Sequence, residues 1–284
     1  MKILMMLATV AAFSMGVESR KGAMTEISQK QLAHGYWLVL MASNECKNCS
    51  TVKKLLGKIA GEFYPHIKFG YLAQNETKRY GILPNSDVGK LLLFPNQGSA
   101  RYIPFNENQT KAGIRFFLRY YLAENAKSQS RFDTAMQEFD RALQQRPSSA
   151  MVHLNLAILY HQQRHDLVAA AKHYDHALED EASLPSLSQA HYMAGNTYLT
   201  LGYPEKARRH YARAVQADPA LHAAHRESAI AAGMQDDPVA SEAALRKAIS
   251  IRPDDPDSLV DLASLLLDRY IASRAGAPPP PACT

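Results

Sequence analysis

The pattern of apolar and polar positions changes character partway along the chain. Residues 36–42, YWLVLMA, form a continuous apolar run of strand length. Ser50–Phe63 follows, with Val52, Leu55, Leu56, Ile59 and Phe63 on one face of an expected helix. His66–Leu72 alternates as a half-buried strand does. A short helix is expected near Glu76–Tyr80, a strand at Lys90–Phe94, a turn at Pro95–Gly98, a return strand at Ser99–Pro104 and a helix at Gln109–Tyr121. Strand, helix, strand, helix, strand, strand, helix is the order of a small α/β domain.

The second half is helical in period and repeats itself. Ala135, Phe139, Ala142 and Pro147 recur as Ala170, Tyr174 and Ala177, then as Ala207, Tyr211, Ala214 and Pro219, and more weakly as Ser241, Leu245, Ala248 and Pro253. The alanines at 142, 177, 214 and 248 are 35, 37 and 34 residues apart, which divides the region into units 116–149, 150–187, 188–221 and 222–254. Small residues let paired helices approach closely, and the larger ones fill the space between turns. Asp257–Ile271 is expected to close the stack. The first helix of the first unit, about Ile114–Ala126, overlaps the last helix of the α/β domain, so one long helix is expected to serve both.

Composition and charge narrow the picture. The 284 residues, 46% hydrophobic and 21% charged, suit about two folded domains. A formal charge of +5 is mild, and Lys47, Lys53, Lys54 and Lys58 stand far from Arg208 and Arg209. No basic stripe is interleaved with aromatics, so no nucleic-acid partner is expected. At the amino end Lys2 precedes the apolar run 3–13, with Ser14 and Gly16 as small residues at a cleavage site. That pattern predicts export to the periplasm or secretion. An uncleaved amino-terminal membrane anchor is an alternative, and the sequons at Asn48, Asn75 and Asn108 keep the endoplasmic reticulum lumen open as another. No later segment reads as a membrane span. The expected layout is a signal at 1–16, an α/β domain at 24–122, helical repeats at 114–254, a closing helix at 256–272 and a Pro-rich tail at 273–284.

Three cysteines are present, Cys46 and Cys49 as a close pair and Cys283 in the tail, so this is no disulfide-stapled scaffold. Cys46-Lys-Asn-Cys49 falls between an expected strand and an expected helix. With the segment SNECKNC, Tyr80–Ile82 and Leu91–Gly98, this order resembles the thioredoxin superfamily over about residues 32–122. The resemblance implies that Cys46 is the attacking thiolate, helped by the helix terminus and by Lys47, and that Cys49 is the resolving thiol. Val88 and Gly89 fall where the family carries its substrate loop, with Gly89 at the cis-proline position. Glu45 stands in place of an aromatic residue and Leu40 in place of a buried acid. The implied activity is that of a protein-disulfide oxidoreductase with no cofactor beyond the cysteines.

The helical half resembles a tetratricopeptide repeat array, an all-α solenoid. That likeness implies a concave groove for a protein or peptide partner, with Asn155, His191, Asn196, His225 and Arg226 as candidate contacts. The histidines lack metal-ligand spacing, although His161, His165, His173 and His176 are placed to bring two imidazoles together, and no metal is expected. Two readings of function stand. One is an exported repeat adaptor whose α/β domain exchanges thiols and disulfides through Cys46 and Cys49. The other is a redox-inactive scaffold or assembly factor in which the pair is structural, a reading favoured by a distant similarity of YWLVLMASNECKNC to thioredoxin-like proteins of conjugative-pilus assembly.

Overall fold

The computed structural model describes residues 25–26, 37–42, 49–64, 66–73, 91–94, 103–105 and 109–275. The expected signal, the Glu76–Tyr80 helix, Cys46, Val88, Gly89, the tail beyond 275 and Cys283 lie outside the described residues. The chain divides into two compact units between Leu118 and Arg119.

The first unit is a small mixed sheet with helix against it. Strands β1 (Thr25–Glu26), β2 (Trp37–Ala42), β3 (Lys68–Ala73), β4 (Leu91–Phe94) and β5 (Ile103–Pro104) lie in the order β1-β3-β2-β4-β5. β1, β3 and β2 run parallel, β4 is antiparallel to β2, and β5 is antiparallel to β4. β2 is paired on both edges, Leu40 opposite Tyr71 on one side and Leu91 on the other. A strand so enclosed reads as an unbroken apolar run, and Trp37 through Met41 are all buried.

Helix α1 (Cys49–Phe63) buries Cys49, Val52, Leu56, Ile59, Ala60 and Phe63, the three-and-four spacing of one helical face. Phe63 meets Phe69 of β3 with ring centroids 6.2 Å apart, and the Lys53 ammonium lies 3.2 Å above the centre of the Tyr71 ring. Arg115 makes an ion pair with Glu62 of α1. Of the α/β order expected of this region, the described residues carry the strands, helix α1 and the start of the following long helix. The thioredoxin-like assignment drawn from the sequence is corrected. It rested on the segment SNECKNC, on Tyr80–Ile82 and on Leu91–Gly98, and what the described residues establish is the small mixed sheet.

The second unit is all helical. α2 (Lys111–Ser128) is longer than the expected Gln109–Tyr121, and the division between units falls within it. Then come α3 (Phe132–Leu143), α4 (Ala150–Leu159), α5 (Leu167–Ala177), α6 (Leu187–Thr200), α7 (Pro204–Ala217), α8 (His222–Gly233), α9 (Pro238–Ile251) and α10 (Pro256–Ala275). Helices pair as α4 with α5, α6 with α7 and α8 with α9, and each pair packs on the next. Ala135, Ala142, Ala170, Ala177, Ala207, Ala214 and Ala248 have no solvent exposure, as close helix crossings require. Phe139, Tyr174, Tyr211 and Leu245 fill the same place in successive pairs and are buried.

Each hairpin turns at a residue with positive φ: Ser130 (58°), His165 (53°), Gly202 (80°) and Asp236 (54°), always twelve residues before the last small alanine of its pair. Three turns close by one long-range amide bond, Arg131 to Ala126, Tyr203 to Tyr198 and Asp237 to Ala232, the Schellman arrangement that satisfies helix-end carbonyls, and the second hairpin closes one residue wider, Asp166 to Tyr160. The unequal spacings of the repeat have local causes. The one extra residue of the second pair sits in a wide π turn at Tyr160–Arg164, and the three extra residues before the third pair sit in the 3₁₀ segment Leu178–Ser183. Among the described residues no helix is long and apolar enough to cross a membrane.

Candidate functional site

A polar layer recurs between the helices of each pair. Its first-helix members are Arg119, His153, His191 and His225, which stand 34, 38 and 34 residues apart. In the first pair, Arg119 Nη1 donates to Glu138 Oε2 at 2.7 Å and Arg141 Nη1 to Glu138 Oε1 at 2.5 Å. In the second, His153 Nδ1 lies 2.9 Å from His173 Nδ1, and His153 Nε2 lies 2.8 Å from the Pro147 carbonyl oxygen. A carbonyl can only accept, so His153 carries its proton on Nε2 and takes one from His173 Nδ1–H. In the third, His191 Nδ1 lies 3.1 Å from His210 Nδ1 and Nε2 lies 3.3 Å from Glu181 Oε1, which fixes the same pair of tautomers. His225 repeats the contact to a proline carbonyl, Pro219 at 3.3 Å, but the place of the second imidazole is taken by Ala244.

Both second-helix imidazoles are also covered by a tyrosine, one just after the first helix and one within it. Tyr160 stacks on His173 at 5.3 Å and Tyr198 on His210 at 5.4 Å, each within about ten degrees of parallel. Burial, then the charge that His153 and His176 would carry, pushes His173 down to about 4. Burial and His191 push His210 down to about 4, with Asp175 opposing. Burial likewise lowers His191, against the pull of Glu181. Among the described residues no group of three or more His, Cys, Asp or Glu is arranged to hold a metal ion.

The face that could take a partner lies on the first helices. α8 reaches α6 across the intervening second helix, so the first helices form the closely spaced inner side of the array. α4 and α6 contain no Asp, Glu, Lys or Arg. They present Leu154 and Ile158, then Tyr192, Met193 and Leu199, as half-buried apolar side chains. The outer helix α7 instead exposes Glu205, Lys206, Arg209 and Arg213. Toward one end stand Lys127 and Glu124, and toward the other Arg226, which pairs with Glu227, Asp257 and Asp261.

The candidate residues from the sequence fall into different settings. Asn155 is 6% exposed; its amide donates to the Met151 carbonyl at 3.2 Å and accepts from Lys127 Nζ. Asn196 accepts from the Tyr211 hydroxyl at 2.8 Å. Arg226 donates to Asp261 Oδ2 at 2.7 Å. His191, 4% exposed, and His225 sit between helices in the layer described above. Neither the His153–His173 contact nor the His191–His210 contact follows from spacing along one helix. The signal was available as a histidine at the same place in three consecutive units.

The redox-active centre expected at Cys46 and Cys49 is corrected. Cys49 is the single cysteine among the described residues, so these hold no close cysteine pair. Cys49 is 7% exposed at the first turn of α1, with its sulfur 3.7 Å from the Met41 carbonyl oxygen, and Cys46, the expected nucleophile, lies outside the described residues. The expectations of a thioredoxin-like exchange site, a disulfide centre and a redox-active pair are therefore not retained.

Comparison with known proteins points to the helical unit. Family models described as tetratricopeptide repeat match residues 120–185 and 188–221. A crystal structure of MamA protein is 15% identical and covers 57% of this chain and 87% of its own, with a TM-score of 0.52. MamA 41-end from Desulfovibrio magneticus RS-1 is 16% identical and covers 57% and 89%, with a TM-score of 0.50. A MamA RS-1 double mutant is 15% identical over 55% and 85%, also at 0.50. At these identities the likeness is one of fold. No curated protein matches the chain significantly. The chain carries a tetratricopeptide repeat array.

Proposed function

We propose that the repeat array is a protein-binding scaffold that works without redox chemistry and holds an apolar segment of a partner along the inner face of α4, α6 and α8. The observation that carries this reading is the contrast between helices of one hairpin. α4 and α6 are free of charged residues and leave Leu154, Ile158, Tyr192 and Met193 half-buried, while α7 is charged on its exposed side. Charge depletion with aromatic and methionine side chains at the centre and charged residues at the rim is the composition of a recognition patch. A helix or extended peptide presenting apolar side chains at regular spacing fits such a strip. Asn196 and Arg226 are proposed as polar contacts, and the buried Asn155 and His191, with the half-buried His225, are proposed to act by holding the first helices in position. Export is proposed on the strength of Lys2 and the apolar run 3–13.

The test is site-specific photo-crosslinking in the native host. A crosslinker at Tyr192 is expected to capture a defined partner, and one at Arg209 on the outer face is not. Met193→Glu in the same chain is expected to abolish the Tyr192 adduct. Equal capture from both faces, or capture indifferent to Met193→Glu, would move recognition off the inner face and end this reading.

A further inference from the structure

Among the described residues the last helix, α10, is paired on one side only. α10 begins as the first helix of a further unit, and its inward side is well held. Ser258 is fully buried, Leu262 and Leu265 are half-buried, and Arg269 pairs with Glu242 of α9. The opposite side presents Leu259, Ala263, Leu266, Leu267, Tyr270 and Ile271, and the large residues among these are 40% to 57% exposed. Spacings of three and four residues place them in one stripe along about three turns. A continuous apolar stripe of this length is an interaction surface far more often than an idle one.

We infer that the occupant is a second copy of this chain, whose own α10 lies antiparallel to the first across a two-fold axis. The stripe reads nearly alike in both directions about Leu265. Leu259 then faces Ile271 of the second copy, Val260 faces Tyr270, and Ala263 faces Leu267, so large residues meet large ones at the ends and small meets large at the centre. The charges agree with that direction. Asp254, Asp255 and Asp257 stand at the start of the helix and Arg274 near its end, while Arg269 is held inward by Glu242. Antiparallel pairing brings Arg274 beside the second copy's Asp257 and opposes the helix dipoles, whereas parallel pairing sets acid against acid and base against base. Asp268 is the exception in the basic half, and it lies on the flank, outside the stripe. A patch that is its own complement closes as a dimer and stops there.

The experiment is sedimentation velocity on the full chain over about 1 to 100 µM, the range in which an interface of one helix pair is expected to titrate. A reversible dimer is expected, and Leu267→Asp is expected to raise its dissociation constant at least about tenfold with the thermal melt unchanged. A second measurement fixes the arrangement: a photo-crosslinker at Leu259 in a mixture of light and isotopically heavy chains. Mixed-isotope adducts to the Ile271 region support antiparallel pairing. A chain monomeric throughout the range, a dimer indifferent to Leu267→Asp, Leu259-to-Leu259 adducts, or adducts confined to residues 276–284 of the same chain each overturn it.

Discussion

The hairpins α4/α5 and α6/α7 are the same unit built twice, and they solve one packing problem differently. Each sets a tyrosine of the second helix, Tyr174 or Tyr211, fully buried against the first helix. In the third unit the facing position is Gly195, followed by Asn196, whose Oδ1 accepts from the Tyr211 hydroxyl at 2.8 Å. In the second unit these positions are Ala157 and Ile158, and the buried Tyr174 hydroxyl has no hydrogen-bond partner among the described residues. The histidine layer is common to both. These two units therefore share the histidine layer while the aromatic contact differs between them, which implies that the layer sets how the two helices meet.

Gly195 offers the strongest way to break that equivalence. A Cβ there would lie 2.5 Å from Tyr211 Cε1 and 2.8 Å from Cδ1, inside any real contact. The ring is enclosed and its hydroxyl is tethered, so the helices must separate. Gly195→Ala is expected to destabilise the array by about 2–3 kcal/mol, the upper part of the range for overpacked cores. Denaturant melts measure that loss. The same change is expected to weaken the His191–His210 contact without altering either ring, visible as altered histidine resonances in that unit alone. An effect below about 0.5 kcal/mol would show that the two hairpins have more slack than their geometry implies.

Acid probes what the hairpins share. His173 and His210 each sit at about 4, below the ordinary 6.5. The folded rings therefore stay neutral where the unfolded chain already binds protons. Their contribution is complete above about pH 6.5 and is lost as the pH falls towards 4. His173 is faced by His153, His176 and Tyr160, and His210 by His191, Tyr198, Asp175 and Lys206, so only Asp175 opposes the loss. Both rings are partly exposed and screened, so about 1 kcal/mol each is expected. Hydrogen exchange is expected to show α4 through α7 losing protection between pH 6.5 and 4 ahead of α3, whose layer is the histidine-free Arg119–Glu138–Arg141 cluster. Simultaneous loss in α3 would remove the imidazoles as the cause.

The period of the alanines made the helix pairs legible, and so did the apolar run at β2 and the helical face of α1. Two things were not legible for physical reasons. A recurring polar contact was masked by the π turn at Tyr160–Arg164 and the 3₁₀ segment at Leu178–Ser183, which shift the numbering so that the histidines look scattered. Spacing along one helix also says nothing about the residue across the hairpin, and His153 meets His173 only because twenty residues of chain turn back on themselves. In the α/β unit a cysteine pair beside a strand and a helix invited a catalytic reading. That motif reports a local arrangement, and the described residues carry only its second cysteine, buried at the start of α1.

The smallest expected effects test the aromatic contact itself. Tyr211→Phe removes a donor and leaves Asn196 Oδ1 without that bond, so a loss of about 1 kcal/mol is expected. Tyr174→Phe removes a buried hydroxyl that has nothing to bond to, and there the expected change is a gain of similar size, about 1 kcal/mol. Burial raises both phenols, so neither ionises at neutral pH and the comparison is one of neutral hydroxyls. The two melts have opposite signs only if the hydroxyl's partner, and not the ring, distinguishes the units. Asn196→Leu supplies the control, because it gives the third unit an apolar neighbour like Ile158 and should make Tyr211→Phe lose its cost. If Tyr211→Phe costs as much in that background as in the native one, the hydroxyl is bonded elsewhere, and the difference between the hairpins lies in Gly195 alone.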